Sequence, residues 1–107
     1  MKIIFSTYKN EDLYEELFRQ CSGLVHGLNC VEVRDCSILD IQCDAVVSPS
    51  NSFGFMNGGI DLLYLKRFGM DLQYRLQKKI KDKHFGELLV GQAEIIETYH
   101  GLLLHLP

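Results

Sequence analysis

Asp44-Ala45-Val46-Val47-Ser48-Pro49-Ser50-Asn51-Ser52-Phe53-Gly54-Phe55-Met56-Asn57-Gly58-Gly59-Ile60-Asp61 opens on an apolar run, passes through a Ser/Pro/Asn/Gly loop and closes on two glycines. Beyond the glycines, Ile60, Leu63, Tyr64 and Phe68 recur at helical spacing. The stretch therefore reads as strand, loop and helix N-terminus. That order suits an anion: the first-turn amides have no partner within the helix, and the helix dipole is positive there. Glycines let backbone amides approach a ligand and adopt positive φ.

Upstream, Lys2 to Ser6 has the apolar content of a first strand. Asn10 is placed to cap a helix, with Glu11 and Asp12 in its first turn. Leu13, Tyr14, Leu17, Phe18 and Cys21 then share one helical face, and Gly23 and Gly27 mark its exit. Cys30 to Arg34 alternates as a second strand, and Ser37 to Gln42 connects it to the opening stretch. Ala45-Val46-Val47 is apolar on both faces, which predicts a central strand over Asp44 to Ser48.

Downstream, Gly69 ends the helix and Asp71 is expected to cap the next one, with Leu72, Leu76 and Ile80 as its buried stripe. Lys78, Lys79, Lys81 and Lys83 fall toward its C-terminal end, where the dipole favours them, so they read as a solvated helix end. Gly86 closes the helix. Leu88 to Thr98 reads as a strand interrupted at Gly91-Gln92, followed by a turn at Tyr99-His100-Gly101 and a last strand, Leu102 to Leu106. The element order β-α-β-β-α-α-β-β predicts a layered α/β fold in one domain spanning 1–107.

The bulk numbers agree. A chain of 107 residues is one modest domain, and 47% hydrophobic content suits a packed core. A net charge of −3 gives no basic field for nucleic acid. No apolar run reaches membrane-span length, and the N-terminus lacks a signal-peptide pattern, so a soluble, cytoplasmic protein without a membrane partner is expected. Cys21, Cys30, Cys36 and Cys43 form no Cys-x-x-Cys pair and read as buried structural thiols. His26, His84, His100 and His105 are scattered and read as isolated surface or strand histidines; no metal or cofactor is expected. Phe53 and Phe55 flank the loop, either as an aromatic wall for a sugar or as core packing.

The pairing of Asp44-Ala45-Val46-Val47-Ser48-Pro49-Ser50-Asn51 with Asn57-Gly58-Gly59-Ile60-Asp61 resembles the signature of the macro domain, the ADP-ribose-binding module. Gly91-Gln92-Ala93-Glu94 and Leu103-Leu104-His105-Leu106-Pro107 resemble two of its later segments, so the likeness runs from Lys2 to the C-terminus, in the manner of a subgroup common in bacteria and their phages. The resemblance implies a three-layer α/β/α fold around a mixed sheet, with the ligand at the C-terminal ends of central strands. It places Asn51 against the terminal ribose and the backbone of Gly58, Gly59 and Ile60 against the diphosphate. Asp61 would either orient a water or satisfy first-turn amides. Where many members carry a base-selecting Asp, Ser37 stands here, with Asp35 two residues earlier.

The family's second glycine-rich loop follows the strand that ends at Leu106, and no counterpart is present. The chain is therefore expected to be C-terminally incomplete, or to complete its sheet in a homo-oligomer. Three functional readings follow from the resemblance. The first is a binding module for ADP-ribose or an ADP-ribosylated macromolecule. The second is an ADP-ribosyl hydrolase with Asn51 and Asp61 as catalytic residues. The third is a degenerate structural member in which Gly58 and Gly59 serve only a tight turn.

Overall fold

The computed structural model describes residues 1–21, 24–26, 29–98 and 101–107, with backbone only at 25 and 26. The chain divides into two compact units, Met1–Gln42 and Cys43–Pro107. Both are α/β, and each carries its own three-stranded mixed sheet.

The first unit runs β1 (Lys2–Thr7), α1 (Glu11–Cys21), β2 (Val25–His26) and β3 (Asn29–Asp35), then a 3-10 turn at Ile38–Asp40. The sheet order is β1-β3-β2, with β1 and β3 parallel and β2 antiparallel to β3. Asn10 caps α1 as expected: its side-chain oxygen accepts from the Leu13 amide at 3.1 Å. The apolar face of α1 is only partly covered. Tyr14, Leu17 and Cys21 are half-buried, whereas Leu13 and Phe18 remain exposed. The three-stranded sheet offers too little surface to cover the whole helix face. Arg34 and Lys2 both pair with Glu32, at 2.6 Å each, and hold the pKa of the Glu32 carboxyl down to about 2.

The second unit runs β4 (Ala45–Pro49), α2 (Gly59–Phe68), α3 (Met70–His84), β5 (Glu94–Thr98) and β6 (Gly101–Leu106). Its order is β4-β6-β5, with β4 parallel and β5 antiparallel to β6. The central position in this sheet belongs to β6, which corrects the expectation for β4. Apolarity on both faces of Ala45-Val46-Val47 describes what lies above and below a strand, not its hydrogen-bonded neighbours. One sheet face is buried and lies against the helices: Ser48 of β4, Leu103 and His105 of β6, and Glu94 and Ile96 of β5. Leu72, Leu76 and Ile80 of α3 and Tyr64 of α2 complete this core, so the predicted α3 stripe is correct.

Three local expectations change. Asp71 lies inside the first turn of α3 and pairs with Arg75 at 2.7 Å; Gly69 takes the cap position, at φ +93°. The strand expected over Leu88 to Thr98 is confined to Glu94–Thr98, and a turn at residues 89–92 precedes it, with the Gln92 amide donating to the Leu89 carbonyl. Cys43 is exposed, while Cys21, Cys30 and Cys36 are half-buried rather than fully enclosed. The helix exit at Gly23 and Gly27, and Tyr99 and His100 of the expected turn, lie outside the described residues.

Candidate functional site: the Ser48–Asp61 loop

The loop leaves β4 still hydrogen-bonded to the central strand, since the Ser50 amide donates to the Leu106 carbonyl at 2.8 Å. It then closes on itself around Asn51. The Asn51 side-chain oxygen accepts from the Phe53 and Phe55 amides at 3.0 and 3.1 Å, and its NH2 donates to the Phe55 carbonyl at 2.6 Å. A short polar side chain that mimics a backbone turn is a common role for asparagine in loops.

Two anchors fix the rest of the loop to α3. Gly54 has φ +77°, and a Cβ there would sit 3.1 Å from Ile80 Cδ1 and 3.3 Å from Leu76 Cγ; the conformation calls for glycine, and any larger residue would also have to push these side chains aside. Met56 is fully buried, and its amide donates to Gln73 Oε1 at 2.8 Å. Phe53 and Phe55 are each 52% exposed, which removes the core-packing alternative for them.

The loop ends at the α2 N-terminus. Gly59 adopts φ +57°, and a Cβ added at Gly58 or Gly59 meets no atom within 4 Å, so the backbone here borders open space. Among the described residues no group accepts from the amides of Gly59, Ile60 and Asp61. The first amide with a partner is that of Leu62, which donates to the Gly58 carbonyl at 3.3 Å. Three free donors at the positive end of a ten-residue helix can hold an anionic oxygen.

Asp61 does not cap those amides. It is 3% exposed; Oδ1 accepts from the Ser48 hydroxyl, and Oδ2 is enclosed without a hydrogen-bond partner. Beneath the loop a buried polar row crosses the sheet in register, from Ser48 on β4 through His105 on β6 to Glu94 on β5. Asp61 of α2 meets it at the Ser48 end, and His84 of α3 at the other, 3.4 Å from Glu94.

His105 is fully buried. Its Nε2 lies 2.8 Å from the Asn51 carbonyl and its Nδ1 2.7 Å from Ser50 Oγ, which in turn lies 3.1 Å from the Ser48 carbonyl. A carbonyl only accepts, so this geometry assigns a proton to Nε2; the single Ser50 hydroxyl hydrogen lies within reach of both Nδ1 and the Ser48 carbonyl and serves one of them at a time. The sequence shows a lone histidine in an apolar strand and nothing of this arrangement, because its partners lie more than fifty residues upstream. The available signal was the alternation of Ser48 and Ser50, whose polar side chains must find partners if that strand is buried.

Ser37 belongs to the first unit. It lines an open cleft of about 770 Å³ at the C-terminal ends of β1 and β3, with Lys9, Asn10, Asp35 and Asp40 among its other walls. The Ser37 hydroxyl already accepts from the Leu39 amide at 3.3 Å. Asn51, Gly58, Gly59, Ile60 and Asp61 all lie in the second unit. Three of the four lysines of α3 are engaged locally: Lys78 with Asp82 at 2.8 Å, Lys79 with the Ile95 carbonyl at 2.7 Å, and Lys83 at 4.0 Å from Glu94. Among the described residues no three His, Cys, Asp or Glu side chains group closely enough to hold a metal ion, and no helix is long and apolar enough to cross a membrane. Compared with models of known protein families and with curated proteins, the chain matches none.

Proposed function

We propose that the Cys43–Pro107 unit binds an ADP-ribosyl group, free or attached to a macromolecule, in the manner of the macro domains that the Asp44–Asp61 stretch resembles. The observation that carries this reading is the trio of unpartnered amides at Gly59, Ile60 and Asp61 beside open space, which suits a diphosphate. Asn51 lies on the same loop, and its NH2 retains one hydrogen beyond the bond to Phe55, available to a ribose hydroxyl. Exposed Phe53 and Phe55 supply apolar edges beside it.

Binding is favoured over hydrolysis by the state of Asp61. One of its oxygens is taken by Ser48 and the other is enclosed, so neither is presented to a nucleophilic water. A turnover of ADP-ribosylated substrate that Asp61→Ala removes would replace the binding reading with the hydrolase.

Calorimetric titration with ADP-ribose, against AMP and ribose-5-phosphate, tests the proposal. Gly58→Asp is the discriminating variant. Gly58 is extended, so aspartate fits there and can cap the same free amides. Stability should rise by a few tenths to about 1 kcal/mol, while ADP-ribose binding should be lost. Absence of heat from the folded wild-type chain at millimolar ADP-ribose would leave Gly58 and Gly59 as turn residues only.

A further inference from the structure

We propose that His105 is the positioning residue of this site, holding the Ser50–Phe55 loop in its ligand-ready shape without touching the ligand. The proposal rests on the binding reading above for what the loop does, but on independent geometry for how the loop is held. His105 is fully enclosed on the central strand β6, and its ring spans two adjacent loop residues, Ser50 through Nδ1 at 2.7 Å and Asn51 through Nε2 at 2.8 Å.

The consequence is directional. With the Asn51 carbonyl fixed from below, its side chain is set to close the turn onto Phe53 and Phe55. The ring itself is set by the register of the sheet, between Ser48 and Glu94. Ser48 holds Asp61 in the first turn of α2. The loop and the helix that carries the free amides are thus referenced to one side chain and its immediate strand neighbour. An apolar residue at 105 would fill the volume, but it would take the hydrogen-bond donor from the Asn51 carbonyl and leave the Ser50 hydroxyl only the Ser48 carbonyl.

The test compares His105→Leu with His105→Gln in the 107-residue chain. Glutamine supplies an amide N–H in place of Nε2–H, whereas leucine supplies none. ADP-ribose affinity should fall about tenfold or more in His105→Leu and recover in part in His105→Gln. In the wild type, ligand saturation should shift the His105 ring-nitrogen resonances, which a side chain serving the core alone would not show. A folded His105→Leu that binds like the wild type overturns the proposal.

If the wild type binds no ADP-ribose, the functional reading fails and the positioning role is still decided by hydrogen exchange at the Phe53 and Phe55 amides. Protection that collapses in His105→Leu sustains it, and equal protection in both chains overturns it. Should His105→Leu fail to fold, Ser50→Ala removes the Nδ1 partner while keeping the ring, and the same exchange measurement decides in the same sense.

Discussion

Phe85 is the residue most at odds with its surroundings. It caps α3 in the left-handed region at φ +57° and ψ +28°, and its side chain is entirely exposed. A bulky residue gains nothing there and carries the steric cost of that conformation. Phe85→Gly should therefore stabilise the protein by roughly 0.5–1 kcal/mol, read as a raised urea midpoint at unchanged slope. A lowered midpoint would mean that the ring has a partner after all. Residue-scale reading of the sequence succeeded where the physics is local. Asn10 caps α1 because an asparagine before two acidic residues has little else to do. It failed at Asp71 and His105, whose roles depend on where other parts of the chain arrive.

Among the elements, α3 ties the second unit together. Leu72, Leu76 and Ile80 are buried, Gln73 holds the Met56 amide, and Ile80 and Leu76 form the floor beneath Gly54. Leu76→Ala should cost roughly 2–5 kcal/mol, measured by denaturation, because the methyl groups it removes are shared by the core and the loop. A cost below 1 kcal/mol would show that the site collapses readily around the deletion. This helix was legible because a 3.6-residue period survives any change in neighbours. The identity of the central strand was not, since hydrophobic pattern reports faces and says nothing of strand order. The two-residue β2 strand, Val25–His26, is too short to leave a pattern at all.

At the scale of the molecule, alkaline pH is the clearest lever. Burial, with the nearby Cys43 and Asp61, pushes the Tyr64 phenol up to about 12 from its ordinary value of 10. The raised value favours the neutral phenol in the folded state. Its contribution is present in full below pH 10 and disappears as pH rises through about 12. Tyr64 should ionise late in an absorbance titration, and Tyr64→Phe should remove that step and flatten the loss of stability across the same interval. Loss of stability that persists unchanged in Tyr64→Phe would place its cause elsewhere. The α/β class itself was readable from alternating element types, whereas the division into two sheets was not, because sequence pattern does not say which strands pair.

Both sheets follow one plan: an opening strand, a helical crossover, then a hairpin whose second strand returns to the middle of the sheet. During synthesis this imposes an order of events. The β1–β3 pairing can close while the second unit is still being made. The β4–β6 pairing spans roughly twice the sequence separation, at about 0.6 kcal/mol more closure entropy, and must wait for β6. β6 leaves the ribosome after every other element of its unit, and it carries His105. A nascent chain can therefore hold every residue of the Ser48–Asp61 loop and still have no formed site, since the strand that shapes the loop arrives last.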